Sequence, residues 1–205
     1  MPESVARTPR KVGLVSDLVA TVVGPGDWPT VNTLFGPKGL SEYCWCQYFR
    51  MESKDYSGCR GSARRARLQE LVETGRVGVL GTVDDEPVGW IGVGPRLGFP
   101  RLLRSRAAKL LKGDDPERIW SIVCVYLARE QRHQGLLRVL INKAVEWARD
   151  EKADLIEAFP EDDRGPDARF DPYSFRGRVT TFEACGFTVV EPRLQARALV
   201  RKDFR

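Results

Sequence analysis

The sequence predicts an α/β (α+β) fold, with a mixed, mostly antiparallel central sheet flanked by helices. Three observations carry this. Ile119 to Leu127 is nearly all apolar, as a strand buried on both faces requires. Gly135 to Lys152 repeats apolar residues at helical spacing: Leu136, Leu140, Ala144 and Trp147, with Leu137, Ile141, Val145 and Ala148 beside them. Asp154 to Phe159 follows as a short strand, so residues 119–159 read as one β-α-β unit. Strands before this unit and paired strands after it make the sheet mixed rather than doubly wound.

The elements follow in order. Residues 1–11, with Pro2, Pro9 and scattered charge, read as a flexible tail, and residues 12–205 as one domain. Val12 to Val23 is rich in β-branched residues, and its later half reads as a first strand. Gly24, Pro25 and Gly26 end it. Asp27 is placed to cap a helix reaching Phe35, with Pro29 in its first turn. Residues 36–61 are aromatic and read as irregular. Ser62 to Thr74 reads as a helix ended by Gly75. Val77 to Val83 and Val88 to Val93 form a hairpin around the polar turn Asp84, Asp85, Glu86 and Pro87. Gly92, Gly94, Pro95 and Gly98 break the pattern, and a short basic helix is expected over Pro100 to Leu111. Glu161 to Asp171 reads as an acidic loop and Val179 to Ala184 as a short helix closed by Gly186. Phe187 to Val190 and Ala196 to Phe204 read as the last strands.

Composition narrows the class. The chain of 205 residues is 42% hydrophobic and 30% charged, the balance of an ordinary folded domain. It has no apolar run long enough to cross a bilayer and no apolar signal core near Met1, so a cytoplasmic protein without membrane contact is expected. Its 33 basic against 28 acidic residues leave a net charge of +5, a modest excess that suits a polyanionic ligand or a solvated surface. Basic runs at Arg60 to Arg67 and Arg101 to Lys112 match no nucleic-acid motif, and nucleic-acid binding is not expected. Five cysteines at wide spacing argue against a disulfide framework. Cys44, Cys46 and Cys59 have no fourth ligand at tight spacing, and His133 belongs to another motif, so no metal is expected.

The informative stretch runs from Val123 to Leu137. A buried strand feeds a polar turn, and a helix starts at its glycine. Helix starts leave backbone N–H groups unpaired, and the helix dipole favours phosphate there. Gly135 permits close backbone approach, while Arg132 and Arg138 add positive charge.

These residues resemble the GNAT superfamily of acetyltransferases. The signature Arg/Gln-x-x-Gly-x-Gly/Ala matches Arg132, His133, Gln134, Gly135 and Leu136, then departs at Leu137, where a small residue is usual. The segment from Phe182 to Phe187 resembles the family's Tyr-Glu-x-x-Gly-Phe segment. The resemblance implies a GNAT-like acyl-CoA N-acyltransferase fold. It also implies acetyl-CoA as co-substrate, and direct transfer in a ternary complex to the amine of a small molecule or peptide. The backbone of Val125 and Leu127 would pair with the pantetheine arm like an added strand. Amides of Arg132, His133, Gln134, Gly135, Leu136 and Leu137 would hold the pyrophosphate.

Amine acetylation needs a neutral amine, hence a proton acceptor, and donors for the oxyanion of the thioester carbonyl. Here the sequence departs again from the family. Ser121 stands where many relatives carry a glutamate, and Phe182 where many carry a tyrosine. Glu157 and Tyr173 are the candidate substitutes, and Ser121 can order a water. Cys124 reads as a packing residue, not a nucleophile. For the acceptor, the family points to the segment from Glu42 to Tyr48, so Tyr43 and Trp45 are the candidate binding residues, with aromatic faces suited to an apolar or cationic group. The acidic Glu161, Asp162 and Asp163 are placed to attract a cation. The missing glutamate and tyrosine leave a second reading, a catalytically silent acyl-CoA sensor or interaction module. Oligomeric state is not encoded in any motif here; a homodimer is the alternative to a monomer.

Overall fold

The computed structural model describes residues 18–36, 44–165, 168, 175–193 and 196–205. Among them, seven strands form one sheet in the order β1-β2-β3-β4-β5-β7-β6. The first half is an antiparallel meander of β1 (Leu18–Val23), β2 (Gly78–Val83), β3 (Glu86–Pro95) and β4 (Ile119–Leu127). β5 (Leu155–Ala158) joins β4 in parallel, and β7 (Arg197–Asp203) and β6 (Thr188–Arg193) close the other edge antiparallel. The one parallel pair is the β-α-β unit expected from the sequence.

The helices are α1 (Trp28–Phe35), α2 (Ser53–Gly58), α3 (Gly61–Thr74), α4 (Pro100–Leu103), α5 (Leu136–Asp150) and α6 (Val179–Glu183). α5 lies against β1 to β5 and buries Leu136, Leu140, Ile141, Ala144, Val145, Trp147 and Ala148. Its approach is close because Gly81 and Gly89 carry no side chain where Leu140 seats. A Cβ on Gly89 would lie 2.5 Å from Leu140 Cδ1. Trp147 meets Trp120 edge-on at 4.8 Å. A second core, with Val31, Phe35, Trp45, Leu68, Val72 and Trp90, fills the space under α1 and α3.

Several local expectations are corrected. The hairpin turn is only Asp84 and Asp85, both at positive φ (50° and 63°), as a two-residue hairpin of matching twist requires, so Glu86 and Pro87 already belong to β3. β3 runs on through Gly92 and Gly94 to Pro95. Gly92 is there because a Cβ would come within 2.9 Å of Cys46 Sγ and 3.2 Å of Cys124 Cβ, so it admits close packing rather than ending the strand. The irregular stretch contains α2, and α3 starts at Gly61 with Arg60 at its cap. Asp27 precedes α1, but its carboxylate accepts the Gly24 N–H at 2.9 Å and closes the turn instead of capping the helix. The basic stretch after Pro100 breaks into α4 and one 3-10 turn, Arg106–Ala108. No helix of the described residues is long and apolar enough to cross a membrane.

Candidate active site

β4 and β5 stay paired only from Ile119 and Leu155 to Ile122 and Ala158. Beyond that the strands part. The register of β4 against β3 shifts there, with Val93 opposite Ile122 and Gly92 opposite Cys124, which leaves Val123 as the extra residue of a bulge. Past the bulge the free edge of β4 lines a cavity of about 420 Å³ with Val125, Leu127, Leu136, Gly177 and Thr180 in its walls. The Val125 N–H donates to the Phe175 carbonyl at 2.7 Å, so a short piece of the chain itself uses this edge. Phe175 (φ 50°) and Gly177 (φ 75°) make the turn that allows it. Gly177 is constrained, because a Cβ would meet Val125 Cγ2 at 3.0 Å and Phe182 Cε2 at 3.1 Å.

The turn at the cavity mouth joins β4 to α5, and the Arg132 N–H, expected to be free for phosphate, donates instead to the Arg129 carbonyl at 3.3 Å. Residues Arg129–Gln131 form one 3-10 turn, and His133 (φ 63°) and Gly135 (φ 77°) then reverse the chain into α5. Alternating left-handed residues turn successive N–H groups toward one side, the geometry of an anion nest. Among the described residues, no acceptor meets the backbone N–H of His133, Gln134, Gly135, Leu136 or Leu137. Arg132 turns back instead, its Nε donating to the Leu127 carbonyl at 3.0 Å. Arg138, Arg178 and Leu137 also line the cavity, Leu137 at the position where the family usually has a small residue.

A second cavity of about 390 Å³ adjoins the first along β4, and Phe175 lines both. Its walls include Cys124, Tyr48, Phe49, Glu161, Arg176 and Arg197. The Arg101 guanidinium lies 4.0 Å from the centre of the Tyr48 ring and 5.0 Å from that of Tyr56. Arg64 lies 3.7 Å from Tyr56, and Arg176 lies 5.2 Å from Phe49. Burial pushes the Cys124 thiol well up, and the neighbouring Cys46 and Cys44 push it further, so it stays a neutral thiol.

Ser121 and Glu157 come together, but away from both cavity linings. Both are buried, Ser121 completely, and Ser121 Oγ donates to Glu157 Oε1 at 3.0 Å. Glu157 also accepts from Arg96 and, at 3.3 Å, from Arg201 Nη2. Arg201 is held in turn by Asp114, Nη1 to Oδ1 at 2.8 Å. A carboxylate in this net ties β5 to β7 and to the loop before β4. Trp45 is buried in the second core, stacked on Phe35 at 5.8 Å, while its neighbours Cys44, Cys46 and Tyr48 reach the cavity. Tyr43 and Tyr173 lie outside the described residues. Phe182 is fully buried against Phe187 at 5.1 Å. In the acidic loop, Asp162 accepts from Arg164 at 2.8 Å, and Asp163 accepts from Thr180 N and Oγ1 at 3.1 and 2.6 Å, at the start of α6.

The family model for the acetyltransferase (GNAT) family matches residues 45–170. The chain belongs to the GNAT acetyltransferase family. The matched span holds the bulged strand, the N–H-lined turn and α5, the parts that make the fork. Solved structures agree in fold. A GNAT-family acetyltransferase described as putative, from Desulfovibrio desulfuricans, is 15% identical, with 91% of this chain and 98% of that chain covered, at a TM-score of 0.50. The aminoglycoside acetyltransferase AAC(6')-Ib, solved with coenzyme A and kanamycin, is 13% identical over 91% and 95% of the two chains, with a TM-score of 0.53. A GNAT acetyltransferase from Streptococcus pneumoniae is 12% identical over 91% and 99%, with a TM-score of 0.50. No curated protein is similar enough in sequence to match.

Sequence reasoning missed Phe175, Arg176 and Arg197, which sit on the late loop and on β7. Nothing in their local pattern marks them. Only the fold brings them to Cys124 and Tyr48.

Proposed function

We propose that this GNAT protein is an N-acetyltransferase that moves an acetyl group from acetyl-CoA to an amine of a small molecule or peptide. The observation that carries the reading is the set of backbone N–H groups from His133 to Leu137 at the mouth of a cavity that runs along the unpaired edge of β4. These amides take the pyrophosphate, with Arg138 and Arg178 adding charge. The pantetheine arm lies along Val125 and Leu127 and takes over the Val125 N–H from the Phe175 carbonyl. Its thioester then reaches Val123 and Cys124, where the second cavity receives the amine.

The amine nitrogen attacks the thioester carbonyl carbon, and a tetrahedral oxyanion forms. The C–S bond breaks, an amide is left, and CoA departs as thiolate to be protonated. The amine proton must go to a base. Glu161 is the only carboxylate among the described residues that line the second cavity, and we assign it that proton. Ser121 and Glu157 support the fork as positioning residues, since a carboxylate buried between two guanidiniums cannot take a proton without uncovering their charge. Tyr173 is kept as the proposed acid for the leaving thiolate.

The test is acetyl-CoA titration by calorimetry, followed by thiol release with an amine panel. Saturable binding and amine-dependent release are expected, and Glu161→Gln should lower kcat while leaving CoA binding unchanged. No heat and no thermal shift at millimolar acetyl-CoA would overturn the reading. A second reading rests on Phe182 and Ser121, which are packed where many relatives carry ionisable groups. In that reading the chain is an acyl-CoA sensor, and binding without any turnover would select it.

A further inference from the structure

The second cavity carries a charge pattern that specifies its acceptor. Its described walls hold two guanidiniums, Arg176 and Arg197, against one carboxylate, Glu161. Among the described residues, neither arginine has an ion-pair partner within salt-bridge distance. Arg176 is part-buried, and burial first, then repulsion from Arg197, lowers its guanidinium below the ordinary arginine range. Two cations held together beside a cavity leave a site that an anion would relieve.

The aromatic walls do not offset this. A cationic ligand would need an uncovered ring face. Tyr48 and Tyr56 already carry Arg101, and Phe49 already carries Arg176. The rings act as apolar walls and as supports that hold the guanidiniums in place.

We infer that the acceptor is an amine that also bears an anionic group, a carboxylate or a phosphate, with the anion held by Arg176 and Arg197 and the amine turned to Glu161 beside the thioester. The inference deepens the acetyltransferase reading and rests on it. An amine with several positive charges and no anion meets two like charges in the same space and is rejected.

The experiment uses the full chain with acetyl-CoA and matched pairs of acceptors. An aromatic α-amino acid is compared with its decarboxylated amine, and O-phosphoethanolamine with ethanolamine. Thiol release gives kcat/KM for each. The anion-bearing member is expected to be favoured by about tenfold or more, which is the scale of one charge-assisted contact. The amino-acid pair and the phosphate pair separate a carboxylate from a phosphate requirement. Arg176→Gln and Arg197→Gln should each erase most of that preference while leaving acetyl-CoA affinity and melting temperature near wild type. Equal use of both members, or preference for the plain amine, overturns the inference while leaving the acetyltransferase reading intact. Where no acceptor turns over, calorimetry on the CoA-loaded protein decides: binding of only the anion-bearing members supports the inference, and binding of neither member or of both alike overturns it. Failure to bind acetyl-CoA is a different result and removes the acetyltransferase reading itself.

Discussion

Replacing Glu157 by glutamine keeps the shape of the side chain and removes its charge. In the wild type the carboxylate meets Arg96, Arg201 and Ser121, and both it and Arg96 are only 1% exposed. Arg201 keeps Asp114 after the change, and Arg96 keeps the Ala108 carbonyl. The variant thus removes the carboxylate charge that two buried guanidiniums share, a defect that costs about 3–5 kcal/mol. Total stability of a domain is about 5–15 kcal/mol, so the loss is a large part of it. In urea the midpoint should fall by on the order of 2 M at unchanged slope, since the slope is about 1–3 kcal/mol per M. The pH profile of turnover per folded molecule should keep its wild-type shape, since Glu157 positions the fork and does not take the amine proton. A loss below about 1 kcal/mol would refute the buried net. A vanished acid limb in the pH profile with full stability would refute the positioning role and restore Glu157 as a base.

Three further outcomes follow from the packing and the charges. Gly89→Ala should cost about 1–3 kcal/mol because its Cβ falls on Leu140, which has no exposed surface to move into. Gly89→Ala with Leu140→Ala should cost clearly less than the sum of the two single changes in a chemical-denaturation cycle, and simple additivity would contradict the described contact. In acid, Asp154 is held down to about 2 by hydrogen bonds from Arg118 and Arg205, and Asp114 is lowered because hydrogen bonds from Arg201 and the Leu111 N–H outweigh its burial. Both lie below the unfolded value of about 3.9, so their stabilisation is complete above roughly pH 5 and is lost as pH falls toward the folded values. Melting temperature should fall along that limb and fall less steeply in Arg118→Gln; a flat profile would contradict the pairing. Cys124→Ala should keep turnover within about tenfold of wild type, and a larger loss in a folded variant would bring the thiol into the chemistry.

The parts legible in the sequence are those set by local pattern. The apolar run of β4, the 3.6-residue repeat of α5 and the glycine at its start encode the fork directly, because burial on both faces and a left-handed helix start each demand particular residue types. The hairpin around Asp84 and Asp85 was legible for the same reason. Glycines misled where they serve packing rather than turning: Gly92 reads as a break but admits Cys46 and Cys124. Glu157 reads as a candidate base because its partners Arg96 and Arg201, and the Asp114 that holds Arg201, come from three distant segments. Arg176 and Arg197 were hidden likewise. Their meaning lies in which cavity they share, and single-chain periodicity holds no record of that.

The central claim is that the turn from His133 to Leu137 binds a diphosphate while the free edge of β4 carries the arm attached to it. Amide chemical shifts of the labelled protein during titration with coenzyme A test this most directly. The largest saturable changes are expected at His133, Gln134, Gly135, Leu136 and Leu137, with Val125 changing as its bond to Phe175 is exchanged. Saturable changes centred elsewhere in the sheet, or none at millimolar coenzyme A, would contradict the account.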